Sequence, residues 1–465
     1  MSRLLLRAAF SMGVLIAALA ASRQVSAQSA PLTIDGAVSR ALARAPELAA
    51  GREAETAAEA RVGQARSAYL PRLGLDVTYS LHWPKTQLPI DLSFLPATIR
   101  PSIGEIDDLH RFRAGAQVSW RAFDLSRGSR VEAARSALSG EQARSRETEA
   151  TLAFQVRALF LAALFARDLQ QISRDSLALA AAEERRARLK AEVGTGSQVA
   201  LAQARVRLAA LRAQERQAAS ELARYRGQLQ SLLALASPPE LTGDLATLAG
   251  SAATLDLAQA PALARLRAAR LAAELAARAT ARTLAPTLSL MLRADLEYPH
   301  AMKLEWGPLL QGGVTLAWDF YDGGLRTQQV REARAQARSL EAQERAATES
   351  LRRRLIDLEA RARTAEAELA SARETRAQTE VYLRVARAAL SAGTGTTLDV
   401  HNAELGLDRA RVAVKQALLA KALVRAESLA LHGAVFDPAA RTPPGARTPP
   451  AARTPPAGRS PGGRP

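Results

Sequence analysis

Residues 193–205 read VGTGSQVALAQAR and interrupt a long stretch of Ala, Arg, Leu and Glu that is otherwise typical of one helix. Residues 392–404 read AGTGTTLDVHNAE and interrupt a second such stretch. Glycine accommodates the positive φ at which many helices end, and the Ser or Thr that follows is a preferred N-cap. Both stretches therefore predict a tight reversal between two long helices. No Gly-Lys-Ser/Thr follows either one, which argues against a phosphate-binding loop.

The two reversals belong to a long-range internal repeat. Pro46 aligns with Pro261 within similar helical segments. At the same separation Pro71 aligns with Pro286, each just before a predicted strand. Each half reads helix, strand, loop, strand, long helix, reversal, long helix. Halves of roughly two hundred residues are too large for solenoid units, so the pattern predicts a tandem duplication, with halves at residues 28–250 and 251–437.

The N-terminus, residues 1–27, is predicted to be a secretory signal. Arg3 and Arg7 precede an apolar run at residues 8–22, and small residues precede a cleavage site after Ala27. An N-terminal anchor helix is the alternative, although the run is short for a membrane span. No later window is apolar without interruption over the length of a membrane span, so no transmembrane helix is expected. An exported chain without cysteine must rely on packing or assembly instead of disulfides.

The net charge of +17 comes mostly from arginines spread along the whole chain. On helical stretches they alternate with glutamates, as in Glu183/Arg186 and Glu341/Arg345, which is typical of a solvated, salt-bridged face. We therefore expect no nucleic-acid partner. The scattered histidines, His401 included, lack the spacing of metal ligands, and no catalytic arrangement or cofactor motif is detectable. Residues 438–465 repeat an Arg-Thr-Pro-Pro unit, and their composition predicts a disordered tail.

Four segments alternate apolar and polar residues with a period of two, which predicts half-buried strands. They lie at residues 73–81, 112–120, 288–296 and 314–320. The polar faces carry charged residues, with no second apolar layer to cover the apolar faces. This pattern favours membrane strands with interfacial aromatic residues over a soluble sheet. All four tryptophans lie in or beside these segments, namely Trp83, Trp120, Trp306 and Trp318.

Four strands do not close a membrane barrel, and open strand edges do not occur in lipid. The strands are therefore expected to combine with those of further copies. Three copies would give twelve strands, although the periodicity also permits two or four copies. The Pro-rich segment 83–108 and the segment 298–308 are expected to be loops.

Two segments, residues 130–192 and 326–391, contain no proline and almost no glycine. As helices each would span roughly 90–100 Å. Their apolar stripes are rich in alanine, as at Ala163 and Ala166, with Leu152, Val156 and Leu159 completing one of them. Small residues permit close packing on both sides of a helix, as in the wall of a tube.

Together, membrane strands, very long helices and a tandem repeat resemble the TolC-type outer-membrane efflux proteins. The resemblance covers about residues 32–436. It is carried by LTIDGAVSRALARAPEL (32–48), ARSAYLPRLGL (65–75), WDFYDGGLRTQQVREARA (318–335) and AGTGTTLDVHNAELGLDRARVAV (392–414). Because no cysteine follows the signal, the chain is similar to the non-lipidated members.

The resemblance implies a homotrimer in which a twelve-stranded β-barrel, four strands per chain, lies in outer-membrane lipid and continues into a long α-helical barrel in the periplasm. Such proteins are exit ducts without cofactors and are not enzymes. An inner-membrane pump drives transport and is coupled to the duct through a periplasmic adaptor protein. The alternative is a periplasmic coiled-coil adaptor or scaffolding protein, which would have one helical hairpin flanked by small β-domains. Neither reading specifies the cargo.

In the family the two reversals are the periplasmic tips, where the adaptor docks and the tube constricts. The alternative is that Gly-Thr-Gly merely joins two helices. The implied docking residues are Val193, Gly194 and Thr195 in the first tip, and Ala392, Gly393 and Thr394 in the second.

The resemblance also implies a gate at Asp399 and Asn402, which lie three residues apart on one face of the predicted helix. Known members have two aspartates there, and Ala200 is the corresponding residue of the first half. A ring of carboxylates would favour cations and raise the pKa of each carboxyl. The residues that help to close the best-known member correspond to Leu390 and Gly395, so the closing contacts must differ. An exposed acid favoured by the helix dipole is the alternative for Asp399.

Overall fold

The computed structural model describes residues 31–81, 83, 110–250, 259–300 and 305–436. The predicted signal, the Pro-rich loop apart from Trp83, and the predicted tail fall outside these ranges. Within the described residues the two halves share one order of elements, namely a helix, two strands and two long helices, and the first half has α1 and α5 in addition. The first half contains α1 (Ile34–Arg44), α2 (Pro46–Ser67), β1 (Arg72–Leu81), β2 (His110–Phe123), α3 (Arg127–Glu192), α4 (Gln198–Leu232) and the short α5 (Leu245–Leu248). The second contains α6 (Pro261–Arg282), β3 (Thr287–Tyr298), β4 (Gly307–Ala317), α7 (Leu325–Ser391) and α8 (Thr397–Leu431).

Four long helices form two hairpins of matching size. Helices α3 and α7 have 66 and 67 residues, while α4 and α8 have 35 each. At 1.5 Å per residue the longer helices are roughly 100 Å long. Helix α3 packs on α4, α7 packs on α8, and contact between α3 and α8 joins the hairpins. The predicted long helices are confirmed within three residues at either end.

The main hydrophobic core lies at the middle of α3. Phe160 and Leu164 are fully buried there against Val38 of α1 and Leu229 of α4. An 18-residue window of α3 has a mean hydropathy of 1.5, enough by length and composition to cross a membrane, and half of it is buried against other helices. Charged residues such as Arg157 interrupt the apolar part of α3, and a core helix can have the same composition, so the expectation of no transmembrane helix stays a prediction.

The end of the described chain is fixed on this core. Helix α8 ends at Leu431, and Gly433 adopts a φ of +73°, which turns the chain back towards α3. Arg157 of α3, only 3% exposed, donates a 2.5 Å hydrogen bond from Nη2 to the carbonyl oxygen of Val435. Val435 and Phe436 pack against the core beside it. Residue 436 is therefore held at the middle of the helices, far from both the strands and the reversals.

The strands form one antiparallel sheet in the order β1-β2-β3-β4. One face is apolar along all four strands, and its side chains are uncovered, with Leu75 87% exposed and Leu310 73% exposed. The opposite face carries the charged residues, as the period of two predicted. In the described residues β1 and β4 have no partner on their outer edges. The sheet thus has an uncovered apolar face and two open edges.

On the polar face an ionic brace joins three strands. Arg293 of β3 donates from Nε to Asp295, and from Nη2 to Oδ2 of Asp76 in β1 at 2.6 Å. The strand between them has Gly115 opposite both acids. A Cβ at Gly115 would lie 1.8 Å from Oδ1 of Asp295, so only glycine lets the brace cross β2. We refer to Asp76, Arg293 and Asp295 as the sheet brace.

The last strand lies earlier in the sequence than its pattern predicts, at Gly307–Ala317 instead of residues 314–320. A strand was expected to continue to Phe320, but β4 ends at Ala317. The indole Nε1 of Trp318 instead donates to the carbonyl oxygen of Leu284, at the end of α6. Asp322 then accepts hydrogen bonds from the amides of Gly324 and Arg326 at the start of α7. These local contacts direct the chain into α7, so the hydrogen bonding between β3 and β4 ends at Ala317.

Candidate functional site

The two reversals have the same backbone geometry. Gly194 and Gly393 each adopt a φ of +77°, which L residues other than glycine rarely adopt. In each reversal the threonine amide bonds a carbonyl five residues earlier, Thr195 to Lys190 and Thr394 to Ala389. This is the left-handed ending that satisfies the free carbonyl groups of a helix terminus. The predicted tight reversals are therefore confirmed.

The second glycine of each Gly-Thr-Gly has a different role from the first. A Cβ at Gly196 would lie 2.7 Å from Cβ of Lys190, and one at Gly395 would lie 2.9 Å from Cβ of Ala389. The chain therefore passes so close to the preceding helix that no side chain fits. One glycine supplies the φ angle and the other permits the close approach, which explains why the same motif occurs twice.

The tip residues are exposed, but the two tips start their second helices differently. In the first tip the Ser197 hydroxyl accepts a hydrogen bond from the amide of Val199. In the second, Thr396 and Asp399 form a capping box, in which Oδ2 of Asp399 accepts from the Thr396 amide at 2.9 Å and from its hydroxyl at 2.6 Å. Ala200 occupies the matching position in the first tip, so only the second helix has a reciprocal cap.

These contacts define the state of the proposed gate residues in the single chain. Hydrogen bonds from the side chain and backbone of Thr396 lower the pKa of Asp399, which keeps its carboxylate ionised. Asn402 lies one turn further along α8 and is exposed. Asp399 is thus partly used as a cap, and its second oxygen remains available at the tip. Leu390, at a position that helps to close the family's best-known member, is also partly exposed, with 37% of its surface accessible.

An ionic cluster lies about 10–15 Å from the tips along the helix axes. Arg207 of α4 donates from Nη1 to Glu183 of α3 at 2.6 Å and from Nη2 to Glu404 of α8 at 2.7 Å. Arg387 of α7 donates to the other oxygen of Glu404 at 2.9 Å. The Glu404 side chain is only 7% exposed. All four long helices therefore contribute one charge each to this group, which we call the inter-hairpin cluster.

The two carboxyl groups of the cluster have opposite pKa shifts. Burial alone would raise the pKa of Glu404, but hydrogen bonds from Arg207 and Arg387 outweigh burial and lower it. Burial raises the pKa of Glu183, and Arg207 only partly offsets this, while the neighbouring Glu404 adds to the rise. Burial and then Arg207 lower the pKa of His401, which lies beside the cluster. Glu404 is thus the carboxylate that the cluster holds most firmly in its charged form.

Further polar contacts continue along the seam between α3 and α8. Ser176 donates to Oδ2 of Asp408 at 2.6 Å, and Nζ of Lys415 lies 2.7 Å from Asp168. Within the second hairpin, Leu383, Ala403 and Leu407 form a buried apolar group near the tip. The pairs Arg207–Glu183 and Arg387–Glu404 add an ionic contact within each hairpin. Each hairpin is therefore held internally by both hydrophobic packing and ion pairs, and the two hairpins contact each other through the main hydrophobic core as well as through charge and hydrogen bonds. Among the described residues no group of His, Asp and Glu side chains converges to hold a metal ion.

Sequence reasoning found the tips but missed the inter-hairpin cluster. Arg207 and Glu404 are far apart in sequence and each resembles an ordinary residue of a solvated helix face. The sequence indicates their relationship only when the two halves are aligned, because Arg207 and Glu404 each lie about two to three turns after a Gly-Thr-Gly reversal.

The chain matches the family described as "Outer membrane efflux protein" over residues 37–235 and 254–433. No curated protein sequence matches it. Its fold is similar to that of CusC, which is described as undergoing transmembrane channel formation, with 16% identity, a TM-score of 0.73, and coverage of 87% of this chain and 92% of that one. It is also similar to VceC from Vibrio cholerae, with 16% identity, a TM-score of 0.70, and coverage of 86% and 96%. The CmeC channel of Campylobacter jejuni is similar at 16% identity and a TM-score of 0.67, with coverage of 87% and 86%.

The family match covers both hairpins and both pairs of strands, and the three similar structures are matched over 86–96% of their own chains. The outer membrane is thus the location of the protein, with its helices forming a periplasmic tunnel. These observations agree with the uncovered apolar face of the sheet and with the paired reversals. The chain belongs to the outer membrane efflux protein family.

Proposed function

We propose that the protein is the outer-membrane exit duct of a tripartite efflux or type I secretion system, and that it transports cargo without catalysing a reaction. The observation that carries this proposal is the sheet, whose apolar face is uncovered and whose outer edges lack partners. In lipid the uncovered face is favourable, whereas open edges are not, because their backbone groups would have no hydrogen-bond partner.

Three copies would remove those edges. Pairing of β4 with β1 of the next copy closes a barrel of twelve strands, a size within the range of known outer-membrane barrels. The long helices of each copy then continue as the wall of a tube. The matching lengths of the helices in the two halves support a tandem duplication, with halves at residues 28–250 and 251–437 following the signal at 1–27.

The tips are proposed to contact the periplasmic adaptor, through which an inner-membrane pump supplies the cargo. Their exposure supports this role, since Val193 is 76% exposed among the residues that the structure describes. Asp399 and Asn402 are proposed to line the entrance when three chains meet. The inter-hairpin cluster, close behind them, is proposed to hold the hairpins together in the closed state and to replace the contacts that Leu390 and Gly395 cannot make.

The absence of cysteine from the sequence makes a crosslinking test of the barrel direct. A cysteine at Thr78 of β1 is combined in turn with cysteines at Gln311, Gly313 and Thr315 of β4. Oxidation should give a covalent trimer for one of these pairs. The matched control places the second cysteine at Ser289 of β3, which lies away from the edge, and should give none. A membrane fraction that yields only monomer for every pair would contradict the trimeric barrel.

The adaptor partner is tested by photo-crosslinking from the tips. A crosslinking residue at Thr195 or Thr394 should capture a periplasmic adaptor in intact cells. The same residue at Thr56, on the exposed side of α2, serves as the control. Capture from Thr56 but from neither tip would exclude the tips as the docking surface.

A further inference from the structure

The junction between the sheet and the long helices has an arginine in each half, and the two arginines differ in their hydrogen-bond partners. In the second half Arg326 is fully engaged: Nη1 donates to the carbonyl oxygen of Thr283 at 3.2 Å, Nη2 to Asp319, and Nε lies 3.4 Å from Asp322. In the first half Arg127 begins α3 and is only 4% exposed. Its Nε and Nη2 have no hydrogen-bond partner among the described residues. A buried guanidinium without an acceptor is costly, so the site is incomplete as it stands.

A sequence difference explains this incomplete site. Trp120 and Trp318 occupy matching places, because each indole donates to the carbonyl oxygen at the end of the preceding helix. The next residue in the second half is Asp319, which binds Arg326. The matching residue in the first half is Arg121, which donates a hydrogen bond to Asp124. At this junction the first half therefore has a cation, Arg121, where the second half has an anion, Asp319, and its local charge is positive.

Aromatic and apolar groups surround the incomplete site. The Arg127 guanidinium lies 5.4 Å from the ring centroid of Tyr69, and the carbonyl oxygen of Tyr69 accepts from Trp120. Trp120 in turn lines a 410 Å³ groove on the apolar face of the sheet, together with Pro71, Val118, Leu290 and Leu292. Phe123, on the same face, is 50% exposed. Tyr69 thus separates a cationic site from an apolar groove that faces the hydrocarbon of the membrane.

We propose that this junction binds one glycerophospholipid of the periplasmic leaflet, with its phosphate on Arg127 and an acyl chain in the groove of Trp120. A guanidinium with two free nitrogens, Nε and Nη2, suits a phosphate, and the first turn of α3, which lacks a side-chain cap, adds positive potential. The half-exposed ring of Tyr69 covers the guanidinium and turns aside to admit the headgroup. The adjoining groove favours a lipid over free phosphate.

A neighbouring protein chain is a poorer occupant than a lipid. Helix α3 is covered by α2 on one side and by α6 on the other, where Arg282 donates to Ser129. The open edges of the sheet lie at β1 and β4, whereas the groove is lined mainly by β2 and β3. Another copy paired at an edge would therefore reach Arg127 only across α2. Lipid reaches the site from the apolar face once the Tyr69 ring turns aside.

The test uses the full chain as assembled in detergent, stripped of lipid and titrated with phosphatidylglycerol while bound lipids are counted by native mass spectrometry. Arg127→Met should weaken binding about tenfold or more, because a charge-assisted contact is lost. Arg130→Gln removes an exposed charge from the same turn and should leave binding unchanged. Diacylglycerol with the same acyl chains should not bind, because it lacks the phosphate.

Two further measurements keep the proposal open to refutation if Arg127→Met assembles poorly. Trp120→Ala should weaken binding of long-chain phosphatidylglycerol but not of its dihexanoyl form, because only the long chain fills the groove. Inorganic phosphate alone should compete weakly. Equal lipid binding by wild type and Arg127→Met overturns the proposal, and so does phosphate that competes as well as lipid, which would show a free-anion site. Because lipid is counted directly, the result is independent of whether the protein exports anything.

Discussion

The guanidinium of Arg207 in the first hairpin lies 2.7 Å from Oε2 of Glu404 in the second. The same side chain also binds Glu183, so one arginine joins two helices of its own hairpin to the neighbouring hairpin. The contact is mostly buried, with side-chain exposures of 16% for Arg207 and 7% for Glu404. A change in the relative position of the hairpins must therefore break this ion pair.

Arg207→Ala should loosen the hairpins. Removing one partner of a buried ion pair costs about 3–5 kcal/mol, and we expect the lower end because Arg387 still binds Glu404. Thermal unfolding should show the loss of stability, and conductance in planar bilayers should show a larger open fraction. Arg205→Ala is the matched control, since Arg205 is 61% exposed and 3.6 Å from Glu184, and should change stability by about 0–1 kcal/mol. Similar effects of the two substitutions would refute a special role for the cluster.

The stability contributed by Glu404 should depend on pH in the acidic range. Its pKa in the folded protein is lowered from an ordinary value of 4.5, so its contribution is present above that value and is lost as the pH falls through the lowered pKa. Glu183, whose pKa is raised, acts in the opposite sense, and its contribution is lost as the pH rises. The difference in unfolding temperature between wild type and Glu404→Gln isolates the first effect. This difference should shrink with acidification, and a constant difference would contradict the prediction.

The second glycine of each tip should be less replaceable than a glycine within a helix. Gly196→Ala places a Cβ 2.8 Å from a backbone carbon of Lys190, so we expect a loss of about 1–3 kcal/mol as the tip shifts. Gly227→Ala, within α4, meets no atom within 4 Å and should stabilise the helix by about 0.5–1 kcal/mol. Urea unfolding measures both. Tolerance of Gly196→Ala without loss would show that the tip is looser than its geometry indicates.

The sheet brace should be needed for assembly of the barrel. Gly115→Ala directs a methyl group into Asp295 and within 3.1 Å of the Ala294 carbonyl oxygen, which displaces Asp295 from Arg293. We expect a smaller fraction of heat-modifiable trimer in the outer membrane. Gly74→Ala, on the same face, meets Gln117 at an ordinary 3.5 Å and is the control. Equal trimer fractions would show that the brace contributes nothing to assembly.

Two substitutions separate the charge of Asp399 from its role as a cap. Asp399→Ala removes both and should lower the preference for cations in reversal-potential measurements. Thr396→Ala breaks the capping box but keeps the carboxylate, so it should retain cation preference while losing about 0.5–2 kcal/mol of helix stability. If Asp399→Ala leaves selectivity unchanged, Asp399 is a cap and not part of a gate.

The parts of the fold that depend on local sequence could be predicted. The long helices follow from segments without proline, and their ends follow from Gly194 and Gly393, whose φ angles require glycine. Strand periodicity gave the faces of the sheet. The end of β4 was predicted too late because Trp318 continues the alternation, but its indole donates to the carbonyl oxygen of Leu284 in the turn after α6.

The parts of the site that depend on how elements meet could not be predicted. Whether Arg207 meets Glu404 depends on how α4 and α8 are rotated about their axes. Many arginines and glutamates recur with the same helical period, so the sequence does not specify this rotation. In the sequence Gly115 is only a small residue in a strand. The structure shows that Asp76 and Arg293 lie on either side of it. Asp399 could be placed at a tip from the sequence, whereas its hydrogen bonds with Thr396 became clear only in the structure.

The two hairpins have nearly equal lengths, 66 and 35 residues in one and 67 and 35 in the other. The ends of the two hairpins form a level rim only while the two longer helices keep equal lengths and the two shorter helices do so as well. Insertion of two turns into one helix would tilt the rim or force its partner to bulge. Any evolutionary change in the reach of this tube across the periplasm therefore requires insertions or deletions of equal size in four separate places of the same gene.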